Sequence, residues 1–535
     1  MIDQILYNAT IYTQNPQQPD ASALAIWGDR IIAVGSDDEI LPLANSHTVK
    51  INLSGRRILP GLTDAHLHWH AYARKLQAVD LVDVPTKEEA LHRVAERAKT
   101  TPPDQWIFGI GWRKDIWKDK QFPTAADLDA VIPDRLVYLV DRSGHAAWVN
   151  SFTLRQAGLL DNIPDPVGGS FVRDEHGKPS GVLLEAPAMR YVSELMPPET
   201  APMIAEWMRE AQQNALKMGL TGFHDFDRPI CLEALQLLRE ADELALRVVK
   251  QINVPYIEHA YQLGIRSGFG DNWLRIGGLK IFADGALGPQ TALMVEPYLN
   301  SNNYGIAVTD KKEMHELVSA ASQHGLLATI HAIGDRAVHD VLDVFEAVRA
   351  QEAQQNIPRT ARRHRIEHVQ ITLPEDAPRL AQLDIIASMQ PIHATSDYEL
   401  ADRYWGERAR YSYALRTQLE AGARLALGSD APLDDINPWA GIHAAVTRRR
   451  VDGTPSKEGW YPSQKISLHD AIRGYTQGPA YAAMQEHQLG MLAPRYLADL
   501  IVLEQDIFTI EPMALAQTKV LGTMVGGIWR YREFE

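Results

Sequence analysis

The sequence predicts an α/β chain: a (β/α)8 TIM-like barrel, with a composite β-sandwich domain built from both termini and a subdomain inserted after the first barrel strand. Three observations carry that prediction. Eight short apolar runs recur along the middle of the chain with helical stretches between most of them, which is the pattern of parallel strands joined by crossover helices. The two ends share a different texture of short strands and turns. One gap between runs, residues 72–200, is too long for a structureless loop inside a compact domain.

Taken in order, residues 4–58 read as alternating strands: ILYNATIYT, then ALAIWGDRIIAVG about a Gly-Asp turn, then HTVKINLSGRRI. The last fifty residues repeat that texture in YLADLIVLEQD and KVLGTMVGGIWRYRE, so 1–58 and 486–535 are expected to share one β domain. The barrel is expected over 59–71 and 201–485. Its first strand ends in LPGLTDAHLHWH (59–70), and after the gap a helix, MIAEWMREAQQNALKMG (203–219), resumes it. GLTGFHDF, ALRVVKQINV, LRIGGLKIFADG, LLATIHAIGD, HRIEHVQ, DIIASMQP and ARLALGSDAP supply the other seven strands, with amphipathic helices such as 231–244 and 312–325 between them. The inserted 72–200 carries its own strand-like runs and the Trp-rich FGIGWRKDIWKDK. It is expected to sit over the barrel mouth.

With 53 Lys and Arg against 68 Asp and Glu, the chain has a formal charge of −15 and no basic stripe for phosphates, so nucleic acid is not an expected partner. The single cysteine, Cys231, rules out an intramolecular disulfide and Cys-rich metal sites, and reads as a small buried apolar residue. No basic n-region leads the N-terminus and no run of about 18 apolar residues occurs. The expectation is a cytoplasmic protein without membrane partners, and a homodimer stays open.

The chemistry concentrates at the strand ends. His66 and His68 stand two apart at the end of the first run, so on a strand they point the same way, and two imidazoles on one side can grip a divalent cation. A turn carrying two surface histidines would read the same. Lys280, His331, His368 and Asp430 end the fourth, fifth, sixth and eighth runs, on the face where barrel enzymes assemble catalytic groups. His331 or His368 alone could be a hydrogen-bonded strand-end histidine, and Asp430 alone an Asx turn before Pro432. Together they suggest a metal centre.

The motifs PGLTDAHLH, GHAAWVNS, GVLLEAPA, KIFADGALG, HAIGD, RIEHVQ, SMQPIHATSD, GSDAP and GMLAPRYLADLIVL give the whole chain a resemblance to the metal-dependent amidohydrolase superfamily, and within it to the amidohydrolase-3, YtcJ-like family. One departure is Ser143, where that branch often has Asp before GHA. The resemblance implies that His66, His68, His331 and His368 bind metal and that Asp430 ligates it while shuttling a proton. One or two zinc ions are expected, with Mn, Fe or Co as alternatives. An ammonium has no lone pair for a dication, so Lys280 can join only if modified. Superfamily members with a fourth-strand lysine carbamylate it to hold two metals. The rival readings are a salt bridge with Asp284 or a substrate anchor.

Glu185 is a further metal or substrate ligand on this reading. Trp112, His145 and Asn150 from the insertion, together with His224 and His393, are candidate substrate contacts. Trp112 and Trp148 could equally be the insertion's own core, and His224 with Asp225 could support a metal ligand. His70 lies past the strand and is left out of the metal set. The expected reaction is hydrolysis of a C–N bond in a small amide, N-acyl compound or cyclic amide. Deaminase, esterase, isomerase or decarboxylase chemistry and non-catalytic binding are the alternatives. Superfamily deaminases place a Glu three residues after the fifth-strand histidine, where this chain has Gly334.

Overall fold

The computed structural model describes residues 2–161 and 163–534. It divides into two compact units, Met1–Tyr72 with Met208–Glu535, and Ala73–Trp207.

In the first unit, eight parallel strands form one sheet in sequential order: β1 (Leu62–Leu67), β2 (Leu220–Asp225), β3 (Arg247–Asn253), β4 (Leu274–Phe282), β5 (Leu327–Ala332), β6 (Arg365–His368), β7 (Ile386–Met389) and β8 (Leu425–Leu427). Each falls on one of the eight apolar runs. The register sets Phe282 beside His331, and Ala332 beside His368, so the ends of these strands lie at one level.

The ring closes between β1 and the segment after β8. The Asp430 N–H donates to the His66 carbonyl (2.8 Å), and the His68 N–H donates to that of Ala431 (2.8 Å). The buried Asp64 carboxylate spans the same seam, accepting from the N–H groups of His66 (3.0 Å) and Ser429 (3.1 Å). Gly428 makes the approach possible, because a Cβ there would lie 2.6 Å from the His66 nitrogen and 2.5 Å from Asp64 Oδ1. Only a residue without a side chain fits.

The same unit holds the two β sheets expected from the chain ends. Gln4–Tyr7, Ala23–Trp27, Arg30–Gly35 and Val49–Asn52 make one. In the other, Arg57–Pro60 pairs antiparallel with Leu500–Leu503, placing Leu59 beside Ile501, so N- and C-terminal segments share a sheet. Leu6, Leu24, Ile26, Ile58, Leu500, Val502 and Met524 form their common core. Alternation along these strands explains why one face is buried.

The second unit has its own six-stranded sheet, running from Ser170–Arg173 through Pro179–Leu184, Ala146–Trp148, Val137–Asp141 and Ile107–Trp112 to Val79–Asp80. Period-2 alternation serves two cores. Val137 and Leu139 pack with Trp112, Trp117 and Trp148, while Tyr138 packs with Val149, Phe171 and Leu183. A unit with two such faces covered is a subdomain and not a loop. Among the described residues no helix is long and apolar enough to cross a membrane.

Gly428→Ala should open the seam. Overpacking a closed core commonly costs about 1–3 kcal/mol, and the shift should also disturb His66 and Asp430, so thermal unfolding and metal affinity, measured together, should both fall.

Candidate metal centre

His66 lies buried at the end of β1, and its ring stacks on Phe226 (3.8 Å between centroids). Its Nδ1 donates to Glu367 Oε2 at 2.6 Å, leaving Nε2 to face Asp430 Oδ1 at 3.5 Å. His68 repeats the division. Nδ1 meets Asp227 Oδ1 at 3.3 Å while Nε2 is 3.5 Å from the same Asp430 oxygen. His368 Nδ1 donates to Gln390 Oε1 (2.8 Å), and His331 Nε2 donates to the Gly285 carbonyl (2.9 Å). Each of the four rings therefore has one nitrogen engaged by an oxygen acceptor and one left over. The His331 and His368 rings are 4.6 Å apart and the His66 and His368 rings 4.9 Å, and ligand atoms of His66, His368 and Asp430 lie within 4.8 Å of one another.

That donor set fits a divalent cation. Borderline ions take imidazole nitrogen and carboxylate oxygen, and a ligating histidine characteristically gives its other nitrogen to a carboxylate or carbonyl, which fixes ring orientation.

The backbone bends to make the set. Alternation along β6 would put Glu367 and His368 on opposite faces, yet both reach His66. His368 has φ +75° and Asp430 φ +61°, left-handed conformations that are uncommon outside glycine, more accessible to His and Asp than to most side chains, and concentrated at functional sites. The turn after β1 is held from β2: helix α1 (Trp69–Gln77) begins with Trp69 N–H on Asp225 Oδ1 (2.9 Å) and His70 N–H on Asp227 Oδ2 (2.6 Å), satisfying N–H groups that a helix start leaves open. Asp225 also pairs with Lys250 (2.9 Å). Asp225, Asp227 and Cys231 lie close enough to share an ion, but the two carboxylates are already engaged in this capping.

The electrostatics follow from burial. Desolvation holds His66 down to about 4 against the pull of Glu367, and His331 down to about 3, so both present lone pairs. Burial also opposes charge on His68, but Asp227 and Asp430 overcome it and raise the ring to about 9. For Asp430, burial favours the protonated form, and the His68, His66, His368 and His393 rings around it outweigh burial and hold the carboxyl well below its usual range.

Lys280 is buried, and its Nζ lies 4.9 Å and 4.5 Å from the Phe226 and Phe282 ring centroids. Desolvation brings its amine down to about 8. The expected alternative pairing with Asp284 does not form, because that carboxylate accepts the N–H groups of Leu293 (2.9 Å), Ile333 (3.0 Å) and Gly334 (2.8 Å).

Several candidate substrate contacts have other work. Trp112 is packed against Trp117 and Trp148, with its Nε1–H on the Leu139 carbonyl; a ring so enclosed presents no face to a ligand. Asn150 caps helix α2 (Ser151–Gln156), accepting from Thr153 N–H and donating to the Ile132 and Arg135 carbonyls, so its amide is saturated. His224 is buried with Nδ1 accepting from Arg365 (2.8 Å), which makes it a support for that guanidinium. His145 and Glu185 belong to the second unit, where they pair on the surface at 2.9 Å. His393 is buried with Nε2 3.8 Å from Asp430 Oδ2.

Sequence reasoning passed over Arg365 and Glu367. Arg365 donates to Glu367, Ser388 Oγ, the Ala65 carbonyl and His224, so it ties β1, β2, β6 and β7 together beneath His66. Arg365 and Glu367, two charged residues two apart and so on one face of β6, were the available signal.

The amidohydrolase family model matches residues 50–531. The chain belongs to the amidohydrolase family. It is 34% identical to protein LONG AFTER FAR-RED 3 of Arabidopsis thaliana (98% of this chain, 91% of that one), and 31% identical to the putative amidohydrolase YtcJ of Bacillus subtilis (94% and 96%). It is 30% identical to the N-substituted formamide deformylase of Arthrobacter pascens (99% and 98%). A solved metal-dependent hydrolase from Pyrococcus furiosus superposes with a TM-score of 0.76 at 29% identity, over 95% of this chain and 99% of that one. Family and site together mark the amidohydrolase chain as a hydrolase that uses a divalent metal.

Two outcomes follow for this amidohydrolase. Glu367→Gln should weaken metal binding by about 10–100-fold in chelator competition. A His68 ring that ligates must first lose its proton, so titration with a divalent ion such as zinc near pH 7, in buffers of different ionisation enthalpy, should release about one proton per site, and affinity should climb as pH rises toward 9.

Proposed function

We propose that the protein hydrolyses a C–N bond in a small amide, N-acyl compound or cyclic amide, with His66, His68, His331, His368 and Asp430 holding the metal and Asp430 moving the proton. The observation that carries the reading is the division of ring nitrogens, which turns one donor from each of four histidines away from its oxygen partner in the company of one carboxylate. A divalent cation held there, proposed to be zinc, would polarise a carbonyl and would lower the pKa of a water to about 7. Asp430 accepts the proton as the water oxygen bonds to the acyl carbon, then delivers it to nitrogen as the C–N bond breaks. An acid and an amine result. Its neighbouring imidazoles keep the carboxylate ionised and ready to accept.

Hydrolysis is favoured over ring deamination at a specific place. An acid three residues after His331 has no room, since any Cβ at Gly334 would lie 1.9 Å from the Leu293 carbonyl oxygen. The formamide deformylase of Arthrobacter pascens makes N-substituted formamides the first substrates to try.

Lys280 is proposed to be carbamylated. Its neutral amine attacks carbon dioxide, an N–C bond forms and one proton leaves nitrogen, replacing a cation with anionic oxygen donors for a two-ion centre. Burial between two aromatic rings and an amine near 8 support it.

A hydrolysis screen of formamides, N-acyl compounds and cyclic imides on metal-loaded protein should find turnover, and Asp430→Asn should abolish it with the fold intact by circular dichroism. No turnover in the screen, or a near-normal rate in the variant, contradicts the reading. Lys280→Ala should lose metal and regain part of its activity with short carboxylic acids, and carbon-13-labelled carbon dioxide should give a carbamate resonance in the wild type only. Full metal retention without that resonance would mean a mononuclear centre.

A further inference from the structure

His393 stands apart from the other histidines of the centre. It opens the short helix His393–Ser396 after β7, its ring lies 6.0 Å from that of His368 and nearly parallel to it (20°), and the residue is 5% exposed. Its Nε2 has no hydrogen-bond partner. The nearest carboxylate oxygens, Asp434 Oδ2 at 3.6 Å and Asp430 Oδ2 at 3.8 Å, are beyond hydrogen-bond reach, and Ser396 Oγ donates to the other Asp434 oxygen, Oδ1, at 2.8 Å. Buried polar nitrogens are seldom left without a partner, and one that is calls for an explanation. Two carboxylates on that side favour the tautomer with hydrogen on Nε2, which makes it a donor beside the atom proposed to move the proton.

We propose that His393 Nε2–H donates a hydrogen bond to the acyl oxygen of the substrate, where negative charge gathers as water adds to the carbonyl. This rests on the hydrolytic reading above. The ligand class it selects is a carbonyl compound with its oxygen exposed for a second contact, such as a formamide or other N-acyl amine. A fixed donor in a water-poor site acts most strongly on the developing charge and less on the ground state, so its removal should act on kcat more than on KM.

The test uses full-length, zinc-loaded protein and the best amide from the screen, with its thioamide counterpart. His393→Ala should lower kcat on the amide by about 10²–10³-fold while metal content and melting temperature stay at wild-type values, and His393→Gln, which keeps a donor, should recover part of the loss. On the thioamide, whose sulfur is a weak acceptor, the penalty should shrink by about tenfold. A kcat for His393→Ala within about threefold of wild type, or equal penalties on both substrates, overturns the proposal and leaves the hydrolytic reading standing. If the wild type hydrolyses nothing in the screen, the hydrolytic reading fails, and acetohydroxamate binding by calorimetry judges His393 alone: about tenfold weaker binding by the variant at equal metal content supports the donor role, and equal binding overturns it.

Discussion

The hydrogen-bonded seam between β1 and residues 428–431 is the constraint on which the rest of the molecule depends. It closes the barrel, and the same bonds that close it join the His66 carbonyl to the Asp430 amide. Residues from opposite ends of the barrel sequence thus become neighbours at the candidate metal centre. Gly428 and the buried Asp64 serve both purposes. Burial raises the Asp64 carboxyl to about 7 despite its Ser429 and His66 donors, a cost accepted for a rigid seam.

Beneath the seam, one buried cation organises the support. Arg365 is enclosed by the strands that it links, and its charge is answered by Glu367. Burial alone would protonate Glu367, but Arg365 and His66 hold it well below its usual range, so it stays an acceptor for His66 Nδ1. A buried ion pair contributes little net stability when compared with an apolar replacement of the same shape. Its value here is directional, because it settles which nitrogen of His66 is left for a metal. His224, drawn into the same network, is pushed well below its usual range by burial and then by Arg365, which suits a neutral acceptor.

Most of the architecture was legible in the sequence because strand ends carry a strong signal. Apolar runs marked the eight strands, and the shared strand texture of the two chain ends marked the sheet in which Arg57–Pro60 meets Leu500–Leu503. What alternation could not express was the departure from it. His368 reaches His66 through a left-handed backbone, and alternation puts Arg365 and Glu367 on one face without saying that the closed barrel turns that face inward. In the insertion, Trp112 and Asn150 had the composition of a binding wall, but a small sheet with two cores spends its tryptophans on packing and its asparagine on a helix cap. Lys280 was recognisable as an unusual buried amine, whereas the occupation of Asp284 by three backbone N–H groups depended on loops with no sequence pattern.

The amidohydrolase family, the nitrogen division and the seam point to the same place for a divalent ion. Metal analysis of the purified protein beside His66→Ala/His68→Ala tests that claim most directly. The account predicts one or two divalent ions per wild-type chain and none held tightly by the double variant, with both proteins folded. An ion-free wild type that takes up no zinc, manganese, iron or cobalt, or a double variant that keeps its full complement, would contradict it.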